Sequence, residues 1–187
     1  MEPTMKIRPR PHEIPAPSGF TLIEFLLVLA LAAVVAAVAF LAFSSGGSNA
    51  TVYNAVRDTN IIVANLKAAF PSQNYAGLNT TAANSAYVFP VSMNGSNYAT
   101  GTIRDRWHGQ VTLAPAVIGG VTQPAEFALT LNGVPGQSCA TYVAQMAPVL
   151  IDATVNGTDV FANGALSPSA LGAACAQPTN TVVLIGG

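Results

Sequence analysis

A chain of 187 residues is long enough for one domain or at most two, with a core that stands without metals. Apolar residues make up 51% of it and charged residues only 8%, against about 25% charged in an ordinary soluble domain, which excludes a typical cytosolic globule. Seven Lys and Arg stand against eight Asp and Glu, a net charge of -1, so no positive surplus is present to neutralise a phosphate backbone and no specific nucleic-acid binding is expected.

In chain order, residues 1–19 hold Glu2, Lys6, Arg8, Arg10 and Glu13 among five prolines, and prolines this dense forbid a helix. Residues 25–43 then read FLLVLALAAVVAAVAFLAF, a run of 19 apolar residues without a charge or hydroxyl. As a helix it would measure roughly 28 Å, close to the hydrocarbon thickness of a bilayer. Lys6, Arg8 and Arg10 precede the run and no basic residue follows until Arg57, so the amino terminus is expected to stay cytoplasmic and the chain from Ser44 onward to be exported.

Three readings fit such a start: a secretory signal peptide, a plain membrane anchor, and a leader removed on the cytoplasmic side of the run. A signal peptide has an apolar stretch of about 7 to 15 residues, and this one is longer. Glu24 sits at the front of the run, and a carboxylate that enters lipid costs a few kcal/mol unless it is paired.

Gly19-Phe20-Thr21-Leu22-Ile23-Glu24 followed by the long apolar run resembles the signature of type IV pilins and pseudopilins. The resemblance implies cleavage between Gly19 and Phe20 by a membrane-embedded prepilin peptidase, with N-methylation of the new terminus at Phe20. It also implies that Glu24 meets the positive amino terminus of a neighbouring subunit inside a filament. A charge pair in a low-dielectric fibre core adds little net stability but penalises wrong register, so Glu24 would set register. The alternative is an anchor helix with an interfacial glutamate.

After the run, residues 44–50 include the adjacent Gly46 and Gly47, each weakening a helix by about 1 kcal/mol relative to alanine, and a kink or melted turn is expected there. Over 51–70, Val52, Val56, Val63, Leu66 and Phe70 form one apolar stripe, predicting an amphipathic helix that stops before Pro71. Residues 71–187 read as an α+β head. Strands are predicted over 86–93, 110–113, 126–131 and 181–185, where β-branched and aromatic residues cluster between breakers. A helix is predicted over 137–151, with Cys139, Tyr142, Val143, Met146, Val149 and Leu150 at helical spacing and its end distorted by Pro148.

Trp107-His108-Gly109-Gln110-Val111-Thr112-Leu113, and then Val134-Pro135-Gly136-Gln137-Ser138-Cys139 opening a helix, are similar to the head of type IVb pilins. That resemblance implies the pilin fold: a long N-terminal helix, its first half transmembrane and its second amphipathic, packed on an antiparallel sheet. A Cys139–Cys175 disulfide would bound a variable surface region. The two cysteines, in an exported chain, allow one disulfide or two buried thiols and are too few for a four-ligand zinc site. The proline-rich leader suits type IVb, whereas phenylalanine after the cut is more usual in type IVa. His108 stands where the family commonly has glycine, and histidine tolerates positive φ better than most residues.

Without the leader, His108 is the last histidine, with Asp105 nearby and no nucleophile in an elbow motif, so no catalytic residue, metal site or cofactor is expected. Arg104 and Arg106 flank Asp105 as a solvated turn or, less favoured, a small DNA or anionic-surface contact. The sequons at Asn49, Asn79, Asn94 and Asn156 fit an exposed surface. Together these readings describe a structural subunit that sits in the bacterial inner membrane as a precursor and then polymerises with itself into an extracellular pilus. Its partners would be the peptidase, an assembly ATPase, an inner-membrane platform and an outer-membrane secretin. Attachment, conjugation, aggregation and motility all remain open as its role. A minor pilin or type II secretion pseudopilin is the near alternative, and an uncleaved membrane-tethered binding or enzymatic domain the distant one. Glu24→Ala is expected to abolish filaments while the chain still accumulates in membranes; a tethered domain would keep its function, and the yield of sheared filaments decides between them.

Overall fold

The structure, a computed structural model, describes residues 22–94, 102–117 and 125–187, without the side chains of 37–48 and 94. The leader, Gly19 and Phe20 lie outside the described residues. The chain divides into two compact units, Met1–Ala42 and Phe43–Gly187.

Helix α1, Leu22–Ala69, is one α-helix of 48 residues, with Glu24 in its first turn and Lys67 in its last, each the sign the helix dipole favours. It stays helical through residues 44–49, so the melted turn expected at Gly46 and Gly47 is not formed. Extending an existing helix adds one hydrogen bond per residue fixed, and the alanine-rich turns before the glycines outweigh their cost. Among the described residues no helix is long and apolar enough to cross a membrane; of the apolar run 25–43, side chains are described only through residue 36.

In the second unit α1 is followed by two short helices, α2 (Thr80–Ser85) and α3 (Val91–Asn94), and by strands β1 (Val111–Ala116) and β2 (Glu126–Pro135). Helix α4 (Gly136–Met146) comes next, ending in a 3-10 turn, Ala147–Val149. Then follow β3 (Asp152–Val155), β4 (Thr158–Asp159), β5 (Phe161–Ala162), β6 (Ala165–Leu166), helix α5 (Pro168–Ala174) and β7 (Thr179–Gly186). The main sheet is antiparallel in the order β1-β2-β7-β3-β4, so the last strand lies at its centre.

Three of the four predicted strands appear, as β1, β2 and β7. The fourth, over 86–93, does not: Tyr87 turns the chain at φ 56° and α3 begins at Val91. Val88 and Phe89 are buried as loop residues, and Pro90 has no N–H to give a ladder. The predicted helix 137–151 stops as α4 at Met146, because Pro148 removes a donor and crowds the preceding turn. The hairpins β3–β4 and β5–β6 turn on Asn156-Gly157 and Asn163-Gly164, all four residues at positive φ, which two-residue hairpin loops require.

Alternate strand residues, Val111 and Leu113, Phe127, Leu129 and Leu131, Val182 and Leu184, Ala153 and Val155, face one core. Helix α1 enters that core with Val52, Ala55, Asp58, Thr59, Ile62 and Leu66. The predicted stripe is therefore rotated: Val56, Val63 and Phe70 are only partly buried, and two polar residues lie at its centre.

The outer edge of β1 is closed. Val111 N–H donates to the Ile103 carbonyl at 2.9 Å, Leu113 N–H to Thr80 Oγ1 at 2.9 Å, and Pro115 has no N–H. Thr80→Val leaves the Leu113 N–H without its acceptor and should cost about 1 to 3 kcal/mol, read as a lower denaturation midpoint at unchanged slope.

Candidate functional site

The described part of the first unit presents one chemistry. In residues 22–35 the large apolar side chains all stand exposed, from Leu29 at 50% to Leu22 at 79%. A helix apolar on every side has no stable place in water and calls for lipid or other apolar helices around it. Glu24 opens this segment, four residues after Phe20.

Where α1 meets the head, the contact is polar at its centre. Asp58, 1% exposed, accepts from Arg106 Nε at 2.6 Å and from Ser92 Oγ at 3.1 Å, with Arg57 Nη2 at 3.7 Å. The hydroxyls of Thr59 and Tyr142 share a hydrogen bond of 2.7 Å, and Trp107 meets the Tyr142 ring edge-on at 5.4 Å between centroids. Complete burial pushes the Tyr142 hydroxyl well up in pKa, with the carboxylates of Asp105 and Asp58 adding to the rise against the Thr59 bond. Farther along the helix, Asn65 Nδ2 donates to the Val88 carbonyl at 3.1 Å.

Arg104, Asp105 and Arg106 do not act as one surface turn. Asp105 points inward and its Oδ1 accepts from Trp107 N–H and Gly109 N–H, each at 2.8 Å. Its Oδ2 is buried and has no hydrogen-bond partner. Desolvation raises the Asp105 carboxyl above the ordinary aspartate value, outweighing the lowering by those two N–H groups and by His108. Arg104 donates to the His108 carbonyl at 2.8 Å and stays exposed, while Arg106 reaches Asp58. His108 holds φ 67°, the positive value that a glycine would adopt freely. At Gly109 any Cβ would collide with the backbone carbonyl of Asn132, so the loop can lie on β2 only with glycine there.

Cys139, in α4, and Cys175, just after α5, form a disulfide with 5.7 Å between Cα atoms. Closing a loop of this size contributes about 3.5 to 4 kcal/mol in the chain-entropy model. An asparagine network braces the same region. Buried Asn180 donates to the Val134 and Gln177 carbonyls at 3.2 and 3.1 Å and accepts from Asn156 Nδ2 at 2.8 Å. Asn156 also donates to the Ala174 carbonyl at 3.0 Å, so this sequon's amide is fully engaged.

Asp58, Thr59, Arg106 and Tyr142 were not singled out by the sequence as a group. The available signal was the spacing 52, 55, 59, 62 and 66, which places Thr59 on the apolar face. Among the described residues no group of three or more His, Cys, Asp or Glu side chains could hold a metal.

A protein-family description, PilS N terminal, matches residues 49–186. The chain belongs to that family. The prokaryotic N-terminal methylation motif matches residues 16–40, the stretch that holds Gly19, Phe20 and Glu24. Motif and fold are those of a type IV pilin. The crystal structure of a type IVb pilin from Salmonella typhi is similar at 18% identity and a TM-score of 0.54, over 70% of this pilin and 96% of the other chain. That of TcpA, a type IV pilin from the El Tor biotype of Vibrio cholerae, is similar at 15% identity and a TM-score of 0.51, over 73% of this pilin and 99% of the other. No curated protein matches the chain.

A carboxyl whose pKa is raised by folding stabilises the folded pilin below the ordinary aspartate value, and that contribution is lost as pH rises through the raised value. Asp105→Asn keeps an oxygen for the two N–H donors and should remove this fall, seen by comparing unfolding midpoints of the two proteins from acid to neutral pH.

Proposed function

We propose that this pilin is the building block of a type IV pilus. It is cut between Gly19 and Phe20 by a prepilin peptidase, N-methylated at Phe20, and held in the inner membrane by residues 20–43 until it is extracted into the filament. The observation that carries this reading is the helix that begins the described chain: apolar and exposed on all sides through residue 35, opened by Glu24, and continuous into a disulfide-closed head. In the filament the apolar segments of neighbouring copies replace lipid around one another, and Glu24 meets the methylated amino terminus of a neighbour. That pair sets the axial register between copies, since any other register leaves a charge in an apolar core.

The chain acts as a structural part and not as an enzyme. Extraction is driven from outside it, by an assembly ATPase and an inner-membrane platform, with a secretin as the outlet. The filament serves attachment, conjugation, aggregation or motility.

Intact-mass spectrometry on protein sheared from the cell surface tests the reading. A chain that begins at Phe20, heavier by one methyl group and gaining two hydrogens on reduction, is expected. An uncut chain confined to membranes would overturn the proposal in favour of a tethered domain.

A further inference from the structure

From Ser48 to the end the chain has nine charged residues, and all nine lie among the described residues. Their placement is segregated. The four cations, Arg57, Lys67, Arg104 and Arg106, all belong to α1 or to the loop before β1. The two acids that share those segments, Asp58 and Asp105, are buried at 1% and 6% exposure, so the charged groups that reach solvent there are all cations, with Asp58 offsetting part of their charge from beneath. Arg106 Nε is hydrogen-bonded to Asp58 Oδ2 and Arg57 Nη2 lies 3.7 Å from Oδ1, which brings both guanidinium groups to one spot, and Arg104, two residues before Arg106, is anchored on the His108 carbonyl.

The other three acids lie on strands. Asp152 and Asp159 belong to β3 and β4, where Thr154 pairs with Asp159. Ala153, Val155 and Val160 fill the core, so Asp152, Thr154 and Asp159 occupy the face turned away from it. Side chains diagonal across an antiparallel pair are within reach of each other. Each aspartate is held in place through one oxygen, Asp152 by Ala153 N–H and Asp159 by Phe161 N–H, both at 2.7 Å. Like charges so placed repel, and a cation between them relieves the repulsion. Within one head the arginine cluster belongs to α1 and the adjoining loop, on the core side of the sheet, and neither aspartate pairs with one of its cations.

We propose that in the filament the Asp152–Asp159 face of one head docks on the Arg57, Arg104 and Arg106 cluster of a second copy. The inference rests on the pilus reading and adds to it a contact between heads. Two different patches meet in this contact, and a contact of that kind builds an open helical polymer whenever its rotation does not close into a ring. The charges orient the heads more than they hold them, because exposed pairs are weak and screened by salt.

The test uses the full chain in piliated cells, with the filament yield after shearing as the readout. Each one-sided reversal, Arg57→Glu with Arg104→Glu, or Asp152→Lys with Asp159→Lys, places like charges face to face and should lower the yield about tenfold or more. The fourfold variant should return to within about threefold of the unaltered chain. Disulfide formation and membrane level, read on non-reducing gels, report folding. If a reversal fails that check, Arg57→Gln and Asp159→Asn replace it, and each should flatten the loss of filaments with rising salt. One-sided variants that polymerise normally, a folded fourfold variant that stays low, or neutral variants with unchanged salt dependence would overturn the head contact while leaving the pilus reading intact. An unaltered chain that makes no filaments removes both.

Discussion

The head depends on how one buried carboxylate is held. Asp58 lies on the buried face of α1 beside Thr59, its Oδ2 held by Arg106 from the loop that leads into β1 and by Ser92 of α3, while its Oδ1 is buried without a hydrogen bond. A buried ion pair adds little net stability, but it makes neighbouring arrangements costly. Sliding α1 by one turn would bring Asp58 against aliphatic side chains and strand Arg106. Val52, Ile62 and Leu66 alone would tolerate such a shift far better, since apolar contact has no direction. Orientation of the helix therefore comes from polar groups, and adhesion from apolar ones.

The same loop transmits that constraint to the sheet. Arg106 faces α1, while Asp105, one residue earlier, gathers Trp107 and Gly109 N–H groups and presses the loop against Asn132. Trp107 then packs on Tyr142, whose hydroxyl returns to Thr59 of α1. Helix, loop and α4 thus close a ring around the core, and the disulfide ties the first turn of α4 to the end of α5. Buried polar groups are expensive unless they are partnered, so removing one member of this ring is expected to cost more than the loss of its own hydrogen bond.

Much of this was legible because its signals are local. The apolar run and the strands over 110–113, 126–131 and 181–185 each follow from composition within a few residues. The cysteine pair was legible as well. The rest was hidden for physical reasons. Residues 86–93 look like a strand because burial and strand propensity favour the same side chains, and Val88 and Phe89 are buried without pairing. The short strands β3 to β6 carry too few residues for alternation to register, although Asn156-Gly157 and Asn163-Gly164 marked their turns. At the site, nothing local in Asp58 announces Arg106, 48 positions away. A charge inside an apolar stripe was the cue, and only the fold supplies its partner.

The closed edge of β1 determines what kinds of joining are open to this protein. Ile103, Thr80 and Pro115 use up or remove the outward donors on one side of the sheet, and on the other β4 is only two residues long. A free strand from another chain finds no ladder to extend at either border. Copies crowded together at the density of a fibre thus stay distinct folded bodies, neither exchanging strands nor fusing their sheets into cross-β aggregates. A carrier that stabilised the head by lending it a strand would have no groove to fill. The head arrives at its neighbours already complete, and whatever brings it into a polymer has to work through helix and surface.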